Sequence, residues 1–126
     1  MAPPRLMLAD HDTRSARRLA TMLEEDGWVV ELYDDGVTAM ARLARPPSFD
    51  VIVSDFVVAG LSGLTLHAEA RKLAPDVPVV FVTSYPEHIA RAHLDPPPVV
   101  IAKPVDYATF AVELARVLGR ASMIPS

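Results

Sequence analysis

The segment 49–55, with the sequence FDVIVSD, restricts the fold of this chain more than any other segment. Its centre, Val51 to Val53, is a continuous β-branched run, which is typical of a strand buried on both faces of a sheet. The run ends at Asp55, and a loop that contains Gly60 and Gly63 follows at once. Because a buried carboxylate is costly without a partner, we expect other polar groups to face Asp55.

Four further apolar runs alternate with segments of helical periodicity, and together they predict an α/β fold. The predicted strands are residues 5–9, 28–33, 49–55, 79–82 and 99–102, and the predicted helices are residues 13–26, 35–45, 63–72, 86–93 and 106–119. This alternation indicates a doubly wound parallel sheet with helices on both faces and right-handed crossovers. Asp12, Asp35 and Asp106 are placed to cap helices, and Gly119 to end the last one.

Composition excludes several classes of protein. The 126 residues are 51% hydrophobic and 22% charged, which predicts one soluble globular domain. The formal net charge of −4, with scattered basic residues, argues against direct nucleic-acid binding. Cysteine is absent, so neither disulfides nor thiolate metal sites are expected. No apolar run is long enough to cross a membrane or to act as a signal peptide, and a cytoplasmic location is expected.

Polar residues that carry chemistry stand where the predicted strands end. The first strand leads to Asp10 and His11, the third to Asp55, the fourth to Thr83 and the fifth to Lys103. In a parallel sheet these ends meet at one edge, where ligands bind. Two carboxylates favour a hard divalent cation such as Mg²⁺, and a lysine and a hydroxyl could neutralise a phosphoryl group. The set is that required for phosphoryl transfer to an aspartate.

The ordered set of motifs resembles the receiver domain of two-component response regulators, of the chemotaxis-regulator type. The resemblance rests on Asp10, on FDVIVSD with its two following glycines, on Thr83-Ser84 and on Lys103-Pro104. It covers nearly the full length and implies a single receiver domain over residues 1–126, with a core at about 5–119. It also implies a flavodoxin-like (βα)5 fold with strand order 2-1-3-4-5.

The same resemblance implies roles for individual residues. Asp55 would accept a phosphoryl group from a sensor histidine kinase or a phosphotransfer protein. Asp10 and Asp55 would hold Mg²⁺ together with the backbone carbonyl of Val57. Thr83 and Lys103 would contact the phosphoryl group and couple it to a conformational change. Such a domain is a phosphoprotein for signalling rather than an enzyme, although it assists its own phosphotransfer and dephosphorylation.

Three positions depart from the family pattern. His11 stands where a second acid is usual, and neutral imidazole is a poor Mg²⁺ ligand, so weak Mg²⁺ binding is expected, with Mn²⁺ as an alternative. Val100 replaces an aromatic residue that often acts as a switch, a role left open to Tyr85 or Tyr107. Ala59 replaces a common proline, which predicts a looser loop after Asp55.

Two other functions remain open at this point. The departures slightly favour a pseudo-receiver that binds proteins independently of phosphorylation, whereas the intact Asp55, Thr83 and Lys103 oppose it. The segment Asp10-His11-Asp12 superficially fits an aspartate-nucleophile phosphatase of the haloacid dehalogenase type, but Thr13-Arg14 breaks that motif. The resemblance leaves the output to a separate target protein or to an output domain missing from this sequence. It also makes the face of helix 4, strand 5 and helix 5 the expected partner surface and a candidate homodimer interface.

Overall fold

The computed structural model describes residues 2–122, with side chains described through Gly119. The strands are β1 (Arg5–Ala9), β2 (Val29–Tyr33), β3 (Val51–Ser54), β4 (Val57–Val58), β5 (Leu61–Ser62), β6 (Val79–Thr83) and β7 (Val99–Ala102). The helices are α1 (Thr13–Glu25), α2 (Gly36–Leu43), α3 (Gly63–Leu73), α4 (Pro86–Arg91) and α5 (Tyr107–Ser122). Among the described residues, no helix has the length and apolarity needed to cross a membrane.

Five strands form one parallel sheet in the order β2-β1-β3-β6-β7. The predicted fourth and fifth strands are β6 and β7, so the predicted doubly wound fold and strand order are confirmed. Strand β3 lies at the centre, where Val53 pairs with Leu8 of β1 and with Val80 of β6. All four residues of β3 are buried, as its continuous apolar run requires.

Alternating side chains of the sheet divide the core into two layers. Helices α1 and α5 cover one face, where Leu23 and Phe110 are fully buried. Helices α2, α3 and α4 cover the other face, where Phe81 and Ile89 are buried. Both faces of the sheet are thereby closed, and the carboxyl ends of the strands are left as the edge at which polar groups gather.

Capping residues begin the helices as the sequence predicts. Asp12 accepts the amide of Ser15 at α1, Asp35 accepts the amide of Val37 at α2, and Asp106 accepts the amide of Thr109 at α5. Each carboxylate satisfies an amide that the first helical turn leaves without a partner.

Several sequence predictions are wrong in detail. Helix α5 continues through Gly119 to Ser122, and α4 ends at Arg91 rather than at residue 93. A feature that the helix and strand predictions do not include lies on β2, where Glu31 is partly buried and accepts hydrogen bonds from Arg42, Arg5 and Tyr33. We call these four residues the edge cluster, since they cover the edge strand β2.

The loop after Asp55 contains a short antiparallel ribbon, β4 with β5, which the sequence did not predict. Both backbone polar groups of Ala59 are hydrogen-bonded: its amide donates to the carbonyl of Asp34, and its carbonyl accepts from the amide of Gly36. The loop then passes so close to β3 that a Cβ atom at Gly63 would collide with the carbonyl oxygen of Asp55. Only glycine fits at this position, and the loop is fixed against the end of β3.

Candidate functional site

Three charged side chains meet at the carboxyl ends of β1, β3 and β7. The ammonium Nζ of Lys103 lies 2.7 Å from Oδ2 of Asp10 and 2.9 Å from Oδ2 of Asp55. Asp10 is 4% exposed and Asp55 is 3% exposed, so both carboxylates are held almost out of bulk water. We call these three residues the site cluster; it carries two negative charges and one positive charge.

Thr83 completes this edge from the end of β6. Its side chain is fully buried, and its hydroxyl oxygen accepts a hydrogen bond of 3.0 Å from the amide of Tyr85. The carbonyl of Thr83 accepts the amide of Lys103 at 2.9 Å, which fixes the two strand ends side by side. The Lys103-Pro104 peptide is cis. The hydroxyl therefore stands beside the carboxylate of Asp55, where it influences the pKa of that group.

The two carboxylates differ in their electrostatic surroundings. Burial raises the pKa of Asp10, and the hydrogen bonds from Lys103 and from the amide of Asp12 do not fully offset it. Burial also raises the pKa of Asp55, but the hydroxyl of Thr83 and the ammonium of Lys103 outweigh burial and hold that pKa below its ordinary value. Asp55 is therefore the carboxylate kept ionised, as a nucleophile must be.

His11 contacts the predicted metal-binding groups directly. Its Nδ1 lies 3.1 Å from the carbonyl oxygen of Val57 and 3.5 Å from Oδ1 of Asp10, and its amide donates to the same carbonyl at 3.3 Å. Three possible ligand atoms lie within 4.8 Å of one another, one each from Asp10, His11 and Asp55. Carboxylate and carbonyl oxygens at this spacing fit a divalent cation, and the imidazole adds one nitrogen.

A cleft of about 400 Å³ opens beside the site cluster. It runs between α1 and the start of α5, and its walls include Ser15, Met22 and Tyr107 as well as the three charged residues. The hydroxyl of Tyr107 donates to Asp26 at 2.6 Å, which joins the far end of α1 to α5. Asp55 therefore borders a cleft whose other walls are α1 and the start of α5.

One group of residues near the site was missed by sequence reasoning. The His88 ring stacks on Tyr85, with ring centroids 5.3 Å apart, and meets the edge of Phe56 at 4.9 Å. Phe56 follows Asp55, and its amide donates to Asp55 Oδ1 at 2.6 Å. The aromatic stack therefore joins the loops that follow β3 and β6. The sequence does place aromatic residues close to two predicted site residues, since Phe56 follows Asp55 and Tyr85 lies two residues after Thr83. His88, however, has the pattern of an ordinary helix surface residue.

Comparison with known proteins identifies the family. The model of the response regulator receiver domain matches residues 6–111. The chain is 28% identical over 116 residues to the response regulator receiver protein CpdR of Brucella abortus, covering 90% of this chain and 96% of that protein. It is 32% identical over 87 residues to the transcriptional regulatory protein CpxR homolog of Haemophilus influenzae, covering 69% of this chain but 37% of that protein.

A solved structure shows the same fold. The CheY-like response regulator receiver domain protein of Methanospirillum hungatei superposes with a TM-score of 0.87 at 22% identity, covering 95% of this chain and 97% of that one. The family model spans the strands that carry Asp10, Asp55, Thr83 and Lys103. The chain belongs to the response regulator receiver domain family of two-component signalling systems.

Proposed function

We propose that this chain accepts a phosphoryl group on Asp55 from a sensor histidine kinase or a histidine phosphotransfer protein. The single observation that carries the proposal is the setting of Asp55: a buried carboxylate with a lowered pKa, 2.9 Å from the ammonium of Lys103 and open to the cleft. An ionised nucleophile beside a fixed cation is what phosphoryl transfer to a carboxylate requires.

The transfer follows from this arrangement. A carboxylate oxygen of Asp55 attacks the phosphorus of the donor phosphohistidine, and the bond between phosphorus and the donor nitrogen breaks. The bonding electron pair remains on the donor imidazole, and the new acyl phosphate oxygens carry the negative charge. Lys103 neutralises one of these oxygens and the hydroxyl of Thr83 donates to another.

Asp10, Asp55 and the carbonyl of Val57 would hold a divalent cation, with His11 at its side. When bound, the cation neutralises charge on the phosphoryl oxygens as that charge develops. Mg²⁺ is the expected ion from the oxygen ligands, and Mn²⁺ is the alternative because of His11. Receiver domains bind Mg²⁺ at an acidic pocket, and the donor set here is consistent with that property.

Phosphorylation would act on a partner through the loop after β6. The Thr83 hydroxyl now accepts the amide of Tyr85, and turning it toward a phosphoryl oxygen would release that contact. The neighbouring face of α4, β7 and α5 is the proposed surface for a target protein or a second copy of the chain. Tyr85 at 44% exposure and Val112 at 57% exposure supply apolar contact area near it.

The contact of His11 favours one alternative function. The Nδ1 atom of His11 is hydrogen-bonded to the Val57 carbonyl, so a protein side chain can satisfy this carbonyl in place of a cation. A pseudo-receiver that binds its partner without phosphorylation would have such a site.

One experiment separates the two functions. The protein is incubated with a small-molecule phosphodonor and either Mg²⁺ or Mn²⁺, and the products are resolved on a phosphate-affinity gel. We expect a shifted band for the wild type and for Asp34→Asn, an exposed control at the same edge, and none for Asp55→Asn. A wild type that stays unshifted with both cations would contradict the proposal and favour the pseudo-receiver.

A further inference from the structure

We propose that the His11 imidazole makes the cation site select first-row transition dications, such as Co²⁺ and Mn²⁺, over Mg²⁺. The inference concerns the cation side of the site described under the proposed function and rests on it. It is carried by the position of one atom, Nδ1 of His11, relative to the oxygens of Asp10 and Val57.

The spacing of these atoms is that of ligands around one ion. Neighbouring ligands of an octahedral cation with bonds of about 2.1 Å lie about 3 Å apart. Nδ1 of His11 lies 3.1 Å from the Val57 carbonyl oxygen and 3.5 Å from Oδ1 of Asp10. Asp55 contributes an oxygen within 4.8 Å of the other ligand atoms. The nitrogen therefore lies close enough to the oxygens of Asp10 and Val57 to share one ion with them.

Lys103 does not bond the Asp10 oxygen that lies nearest to His11. Its ammonium bonds Oδ2 of Asp10 and Oδ2 of Asp55. Oδ1 of Asp10 faces His11 instead, and it also accepts a hydrogen bond from the amide of Asp12. A cation held by Asp10 and His11 would therefore contact an oxygen that Lys103 does not use, and the two would not compete for it.

The ring can change from hydrogen-bond donor to metal ligand without changing its charge. As a donor, Nδ1 carries the proton that is shared with the Val57 carbonyl. His11 has a side-chain exposure of 48%, so Nε2 can carry the proton in contact with water instead. Nδ1 then offers its lone pair to a cation, which is the neutral form in which histidine binds metals.

The chemistry of the donor set decides which cation is favoured. Mg²⁺ prefers oxygen ligands and gives up its bound water reluctantly. An imidazole in place of a carboxylate therefore lowers the affinity for Mg²⁺, because it removes a negative charge and a hard donor. Imidazole suits first-row transition ions, whose affinity for mixed nitrogen and oxygen sites rises from Mn²⁺ towards Cu²⁺. A histidine in place of a carboxylate at position 11 therefore lowers the affinity for Mg²⁺ and favours first-row transition ions.

The test measures metal binding to the full chain by calorimetry, without any phosphodonor. Dissociation constants for Mg²⁺ and Co²⁺ are compared in the wild type, His11→Asn and His11→Asp, and the visible absorption of bound Co²⁺ reports nitrogen ligation. Asparagine supplies a neutral oxygen, so it removes the imidazole without adding charge. His93→Asn, at an exposed histidine beyond α4, controls for Co²⁺ on other imidazoles.

We expect the preference for Co²⁺ over Mg²⁺ to fall by about tenfold or more in both His11 variants, with a changed Co²⁺ spectrum, and to stay unchanged in His93→Asn. An equal preference in the wild type and the His11 variants would overturn the inference. Loss of selectivity would leave the proposed phosphoryl transfer intact, provided that Asp55 is still labelled with Mg²⁺. Conversely, selective Co²⁺ binding by a protein that is never labelled would refute the transfer and keep the metal assignment.

Discussion

The site cluster and the edge cluster are built from the same kinds of charged group but are balanced differently. In the edge cluster, Glu31 is surrounded by Arg5 and Arg42, so positive charge is in excess. In the site cluster, Lys103 alone faces Asp10 and Asp55, so negative charge is in excess. Both clusters are at least partly buried and each carries one uncompensated charge, so the difference lies in how completely the carboxylates are compensated.

In the edge cluster, the carboxylate is fully used by the protein. Oε1 of Glu31 accepts from Tyr33 and Arg42, and Oε2 accepts from Arg5 and Arg42. Arg42 also donates to the carbonyls of Arg45 and Pro47. These contacts hold the pKa of Glu31 below its ordinary value despite its burial. A carboxylate with four donors is stabilised in place and has no oxygen left for a ligand.

In the site cluster, the carboxylates retain unused capacity. The pKa of Asp10 is raised by burial, which means that its charge is held at a cost to the folded state. The cluster also borders the cleft, whereas Arg42 is 6% exposed and lies against the Phe49 ring at 4.5 Å. Buried charge by itself therefore does not identify a functional site. Incomplete compensation beside an open cleft is the more specific sign.

The largest expected effect on stability comes from breaking the edge cluster. Arg42→Gln should lower the free energy of unfolding by about 3 kcal/mol, because it leaves Glu31 with fewer partners and removes a packed guanidinium. Chemical denaturation measures the loss, and Arg45→Gln, an exposed neighbouring arginine, is the control. Labelling of Asp55 should be unchanged in the folded variant, and a variant of full stability would refute the structural role.

A smaller loss of stability is expected from removing the lysine of the site cluster. Lys103→Met should lower the free energy of unfolding by about 2 kcal/mol, less than a fully buried pair would lose, because the Lys103 side chain is 15% exposed beside the cleft. Added Co²⁺ or Mg²⁺ should restore part of this stability by neutralising Asp10 and Asp55. The same cation should not restore Arg42→Gln, and equal recovery of the two variants would contradict the distinction.

The smallest effect has the opposite sign. Asp10→Asn, measured without divalent cations, should raise the free energy of unfolding at pH 7 by about 1 kcal/mol, because it removes a carboxylate whose charged form is disfavoured by burial. A raised pKa in the folded state means that the penalty is present above that pKa and disappears below the ordinary value of 3.8. The advantage of the variant should therefore shrink as the pH falls. A variant less stable than the wild type at pH 7 would show that Asp10 is as well compensated as Glu31.

Local sequence patterns were sufficient to predict the sheet and the location of the site. Strands β1, β3, β6 and β7 are marked by continuous apolar runs, and each run leads directly to one site residue, so topology alone brought Asp10, Asp55, Thr83 and Lys103 to one edge. The ribbon of β4 and β5 was missed because strands of two residues carry no recognisable period.

Contacts between distant segments could not be predicted in the same way. Burial of Arg42 depends on Glu31 from another element, and arginine is ordinarily exposed. The edge contact of His88 with Phe56 joins residues 32 positions apart, and the hydrogen bond between His11 and Val57 joins residues 46 positions apart. The spacing of residues along the chain does not predict such contacts. They follow from tertiary packing, which the sequence pattern only brings about indirectly.

Chemical mapping of the labelled residue tests the central claim most directly. The protein is phosphorylated with a small-molecule donor, reduced with borohydride, which converts an aspartyl phosphate to homoserine, and digested for peptide mass spectrometry. We expect homoserine at position 55, with Asp10 and Asp12 unmodified. Homoserine at another aspartate, or none at any position after incubation with Mg²⁺, Mn²⁺ and Co²⁺ in turn, would contradict it.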